Sequence, residues 1–126
     1  MFYEQDWVMK QIRLLVRFVA RAVFKKDTAE YKELIEESMA GSDLLHRELL
    51  CLLSENRICE AENFLFDNLD KSFRSHLALS LDFYERLNLL SDEELEKGNF
   101  SREEIRDGLN SVLELFGLDF ARDMFS

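Results

Sequence analysis

The chain has 126 residues, 47% apolar, 12% aromatic and 33% charged, with a net charge of −10. That length suits one domain holding a hydrophobic core without disulfide or metal staples, and that apolar content excludes a disordered chain. The acidic balance argues against a nucleic-acid backbone as partner, because such binding is driven by counterions released from a basic surface.

Proline is absent and glycine occurs four times, so long uninterrupted helices are favoured over a turn-rich β fold. No segment alternates with the period of two that a strand requires, and the class expected is all-α. Cys51 and Cys59 stand eight positions apart, without the CxxC pairing of a zinc or redox site. They read as reduced, small core residues of a cytoplasmic protein. No basic stretch followed by an uncharged apolar one opens the sequence, and no run approaches the roughly 18 apolar residues of a membrane span. Neither secretion nor spanning is expected.

The charge divides unevenly. Residues 1–26 carry six basic side chains against Glu4 and Asp6, a balance of +4, whereas residues 27–126 carry ten basic and 24 acidic side chains, a balance of −14. A basic helix over residues 4–25 is therefore expected to pack on an acidic body, 27–126, within a single helical domain 1–126. Lys10, Arg13, Arg17, Arg21 and Lys25 recur at three- and four-residue steps and fall within an arc of roughly 120°. Val8, Ile12, Leu15, Val16, Val19 and Val23 gather on the opposite side. Trp7, Leu14, Phe18 and Phe24 project close to or within the basic arc, so this helix needs cover on more than one side.

Asp27, with Glu30 three residues on, predicts a capping box opening a second helix through Tyr31, Leu34, Ile35, Ser38 and Met39, with Gly41 as its left-handed stop. From Ser42 to Ser54 the leucines point in nearly all directions, which predicts a central, enclosed helix. The short joint Glu55-Asn56-Arg57 makes it an antiparallel hairpin with a fourth helix striped by Ile58, Ala61, Phe64, Leu65 and Leu69. A fifth helix over 72–89 sets Phe73, Leu77, Leu81, Tyr84 and Leu87 on a core face. Two capping boxes follow, Ser91 with Glu94 and Ser101 with Glu104, parted by Gly98 and Asn99. They open a short helix and a longer one carrying Ile105, Leu109, Val112, Leu113 and Phe116. Gly117 stops the latter before a last turn with Phe120, Met124 and Phe125.

No phosphate-binding glycine loop, HExxH, EF-hand or GxSxG spacing is present, and no cofactor is expected. Asp43 precedes His46 by three residues, half of a helical-bundle metal site, but His76 has Phe73 at the matching offset, so no metal is expected. Asp92, Glu93, Glu94 and Glu96 suit the start of a helix, where negative charge is favoured. An enzyme would show itself as a concave pocket holding His46 or His76 beside a buried carboxylate.

The run Glu60-Ala61-Glu62-Asn63-Phe64-Leu65 resembles a tetratricopeptide-type repeat, in which a small residue and a following large one lock paired helices. The opening Gln5-Asp6-Trp7-Val8-Met9 with its basic helix, the stretch from Leu81 to Leu87, and Asn99-Phe100-Ser101-Arg102-Glu103-Glu104-Ile105 resemble an uncharacterised bacterial family of unknown function. That resemblance implies a tetratricopeptide-like array of about six to seven helices in a cytosolic bacterial protein, and supplies no catalytic residues.

The functional expectation rests on the first helix. Trp7, Lys10, Arg13, Leu14, Arg17, Phe18, Arg21 and Phe24 form the candidate interaction surface of a non-enzymatic interaction or scaffold protein. It would take a protein partner or a second copy, as a homodimer through this helix. A plainer reading buries the apolar sides in the domain's own core. Peripheral attachment to an anionic membrane is the alternative, opposed by the −14 remainder.

Overall fold

The computed structural model describes the backbone of residues 2–124 and the side chains from Asp6 onward, so Phe125 lies outside the described residues. The helices are α1 (Phe2–Val19), α2 (Tyr31–Leu34), α3 (Ala40–Ser54), α4 (Ile58–Asn68), α5 (Arg74–Asn88), α6 (Asp92–Lys97), α7 (Arg102–Leu115) and α8 (Phe120–Met124). A wide π-type turn, Ala20–Phe24, extends α1, and Lys25 closes it in the left-handed conformation. No strand occurs among the described residues, so the all-α class holds, with eight helices in the array.

The centre is α5, which packs against α1, α2, α3 and α7. The predicted stripe is there: Leu77, Leu81, Tyr84 and Leu87 are almost fully buried, while Phe73 stays half-exposed just before the helix. Ala78, Leu79 and Phe83 are buried as well, so α5 is enclosed nearly all round. The expectation of a central α3 is corrected, since that helix packs on α4 and α5 and leaves Leu44 exposed. Leucines all round α3 mislead because only Leu45 and Leu49 reach the buried interior, with Leu50, Leu52 and Leu53 at its rim.

Around α5 the remaining helices bury the faces their periodicity assigns. Val8, Ile12, Leu15, Val16 and Val19 of α1 are buried, as are Ile58, Ala61 and Leu65 of α4 and Ile105, Leu109, Val112 and Leu113 of α7. The α3–α4 hairpin forms across the predicted joint, where Asn56 takes a positive φ. Both capping boxes close: the Glu94 amide donates to Ser91 Oγ and the Glu104 amide to Ser101 Oγ, each at 3.1 Å, while each glutamate side chain accepts from its cap's amide. Gly117, at φ +75°, ends α7 as expected, a conformation that costs a residue with a Cβ.

Arg102 joins the helices at one end. Buried to 3% exposure, its guanidinium donates to the carbonyls of Asn88 (2.9 Å) and Leu90 (2.8 Å) and to Asp92 (3.0 Å). A cation thus satisfies the open carbonyls at the C-terminus of α5, where the helix dipole favours it. Asn88 in turn donates to the Met9 carbonyl of α1 at 3.0 Å.

The segment between α1 and α3 departs from the predicted helix. Residues 27–30 are non-helical, α2 spans only four residues, and Ile35 and Met39 leave the helical region, at φ −115°, ψ 96° and φ −125°, ψ 88°. The Asp27 side chain pairs with Arg21 instead of capping, and the Tyr31 amide donates to Asp82 of α5 at 2.8 Å. Gly41 lies inside the first turn of α3 rather than ending a helix. Tertiary hydrogen bonds have overridden local helix signals here. Cys51 and Cys59 are also corrected from core positions: both are free and exposed, and the Cys59 thiol lies against the carbonyls of Gly98 and Asn99 in the turn after α6.

Two outcomes follow. A Cβ on Gly108 of α7 would sit 2.5 Å from Tyr84 Oη and 2.9 Å from its ring, so Gly108→Ala should lower stability by about 1–3 kcal/mol through overpacking. Urea denaturation should show a reduced midpoint at unchanged slope. Both thiols should react with an aromatic disulfide reagent in the native state, releasing two equivalents of thiolate before unfolding.

Candidate functional site

The first candidate surface is the outer side of α1. Trp7 is 55% exposed and Leu14 40% exposed, with Phe18 half-buried beside them. On a helix these three lie within about 40° of one another. Lys10 and Arg13 are exposed and make no ion pair among the described residues. Arg17 is held by the protein's own body, donating to Glu85 of α5 at 2.8 Å and to the Asp27 carbonyl at 3.0 Å. Arg21 pairs with Asp27. Phe24 is buried, with the Arg74 guanidinium 4.7 Å from its ring centre. Of the eight residues expected to form this surface, Trp7, Lys10, Arg13, Leu14, Arg17 and Arg21 are exposed, the last two tied to the protein's own acidic groups, while Phe18 is half-buried and Phe24 buried.

The second site was not legible from the sequence as a whole. It assembles on Asp82, a carboxylate on the enclosed helix α5, 3% exposed. Its Oδ2 accepts from the Tyr31 amide at 2.8 Å, and its Oδ1 accepts from His46 Nε2 at 3.0 Å and from the Arg86 guanidinium. The Tyr31 ring stacks on the His46 ring with centroids 4.6 Å apart, and the Tyr31 hydroxyl donates to Asp43 Oδ1 at 2.7 Å. Asp43 Oδ2 accepts from the Met39 amide at 3.2 Å. Helix α3 supplies Asp43 and His46 one turn apart, α5 supplies Asp82 and Arg86 one turn apart, and the irregular strap 25–39 supplies Tyr31.

Burial pushes the Asp82 carboxyl up, but the hydrogen bonds from His46, Arg86 and the Tyr31 amide outweigh it and hold it below its ordinary value of 3.8. The Tyr31 hydroxyl likewise lowers Asp43, while burial and the bond to Asp43 raise the Tyr31 phenol. These groups line an open-sided cleft of about 600 Å³. The cleft therefore places His46 beside a buried carboxylate. Asp82 lies 36 positions away in sequence, and nothing in the local pattern of α5 marks it.

Asp43 and His46 do share a face of α3, but their partners are Tyr31 and Asp82, and no group of three or more metal-ligating side chains converges among the described residues. His76 is half-buried beside Phe73; its Nδ1 accepts from the Asp70 amide at 3.0 Å, and burial lowers its pKa. Asp92, Glu93, Glu94 and Glu96 are exposed on α6. No helix among the described residues is long and apolar enough to cross a membrane.

Residues 2–117 match DUF6483, a family of unknown function, and the chain belongs to that family. No curated protein and no solved structure matches the chain.

The electrostatics of Asp82 set a pH dependence. A carboxyl held below its unfolded value stabilises the fold above that value, and this contribution is lost as pH falls through the folded value. Asp82→Asn should lower stability at pH 7 by about 3 kcal/mol, by removing the charged acceptor from His46 and Arg86. Chemical denaturation across pH should show the gap to wild type closing below about pH 4.

Proposed function

We propose that this member of the family of unknown function is an interaction domain that pairs with a second copy of itself, the exposed face of α1 seating on the acidic body of its partner. The observation that carries this is Trp7, 55% exposed next to Leu14 at 40% on the basic helix of a chain whose remaining residues carry −14. Large aromatic side chains left open on a surface are the usual anchors of a protein interface, and a cationic flank adds steering toward an acidic one.

Charge chooses the geometry. Two copies of the α1 ridge set face to face would oppose cation to cation, whereas ridge against acidic body is complementary. A two-fold arrangement makes that contact twice. The inner face of α1 is buried in its own fold, so docking requires no unfolding. The antiparallel α3–α4 hairpin supports a tetratricopeptide-like reading of the array, an architecture whose extended surfaces serve binding.

Sedimentation equilibrium of the full chain tests this. The expected result is a dimer at tens of micromolar in about 50 mM salt that weakens toward monomer at about 0.5 M. The double variant Trp7→Ala, Leu14→Ser should be monomeric with unchanged helical circular dichroism. A wild-type monomer at low salt, or a dimer indifferent to both substitutions, would refute the proposal.

A further inference from the structure

We infer that the cleft between the 31–39 segment, α3 and α5 binds a small organic ammonium ion, whose N–H donors are taken by Nδ1 of His46 and the carboxylate of Asp43. The argument begins with the proton on His46. Asp82 accepts from the Tyr31 amide and the Arg86 guanidinium and is an ionised acceptor with no proton to give, so the bond to His46 Nε2 has the imidazole as donor. In the neutral ring this leaves a lone pair on Nδ1. That nitrogen has no hydrogen-bond partner among the described residues, and His46, a residue 7% exposed, lines the cleft. An acceptor that meets the cleft and has no donor from the protein is one that a ligand's N–H group can complete.

Asp43 stands next to it. Its Oδ2 takes the Met39 amide and the Ser38 hydroxyl, while its Oδ1 takes only the Tyr31 hydroxyl, so Oδ1 keeps a further lone pair to offer. Tyr31 joins the two groups, stacked on His46 at 4.6 Å and bonded to Asp43 at 2.7 Å, so the acceptors are held by packing rather than by flexible side chains. The cleft's charge agrees: five acidic side chains line it against three basic ones, and with Asp82 paired to Arg86 and Glu36 to Lys26, Glu30, Glu37 and Asp43 remain against Lys32 and Arg47. Ile35 and Leu50, half-buried, give it aliphatic wall. The combination of fixed acceptors, net negative charge and a short apolar wall suits an ammonium head on a few methylenes, in a volume of about 600 Å³ that is ordinary for a small-molecule site.

The test is a titration of the full chain, labelled with ¹⁵N-histidine, at about pH 8, where simple alkylamines are still cationic. The probes are n-butylamine and 1,4-diaminobutane, with butyrate and inorganic phosphate as anionic counterparts. The expected result is a saturable shift of the His46 ring nitrogens at millimolar amine, with His76 unmoved. His46→Gln keeps an amide N–H for Asp82 while removing the Nδ1 acceptor, and should weaken amine binding at least about tenfold. Asp43→Asn, at the open side of the cleft, should do the same and carries the test if the first variant does not fold. The inference is overturned by no saturable shift with either amine, by an equal shift with butyrate or phosphate, or by unchanged binding in the folded variants.

Discussion

Helix α5 is enclosed by four neighbours, and every polar group it carries inward must find a partner there, because water is not available to supply one. That requirement organises the molecule at two points along the helix. Near its middle, Asp82 draws the strap, α3 and its own Arg86 onto one carboxylate. At its C-terminus the exposed carbonyls draw in Arg102 from the start of α7, and Asn88 reaches across to α1. Apolar burial supplies most of the drive to fold, but these bonds select which packing of the helices is reached.

The same requirement accounts for the strap between α1 and α3. Left to local preference, residues 27–39 contain the ingredients of a helix. The Tyr31 amide is instead committed to Asp82 and its hydroxyl to Asp43, and only one helical turn survives between those commitments. The strap is held by side-chain bonds rather than by a continuous helical ladder, and an open-sided cleft lies between it and His46.

The basic helix serves two environments at once. Its valine and isoleucine face goes into the core, its C-terminal cations are tied back to Glu85 and Asp27, and Trp7 and Leu14 are left outside. The aromatic–basic pattern that drew notice in the sequence is thus divided: Phe24 and, in part, Phe18 belong to the fold, while the N-terminal half of the ridge remains open. Periodicity alone cannot make that division, since all these side chains have helical spacing.

What the sequence by itself determined was everything set by short range and by period. The all-α class, the buried stripes of α1, α4, α5 and α7, the α3–α4 hairpin, both capping boxes and the Gly117 stop follow from propensity, spacing and the chemistry of residues within one turn of each other. Only the tertiary structure decided that α5 rather than the leucine-rich α3 is the enclosed helix, that the strap forgoes its helix, that Cys51 and Cys59 face outward, and that His46 meets Asp82. The physical reason is common to all four. Each depends on which partner a group finds across the core, and a partner 36 or 51 residues away leaves no trace in the local pattern, where Asp82 lies off the predicted core face of α5 and is nonetheless buried.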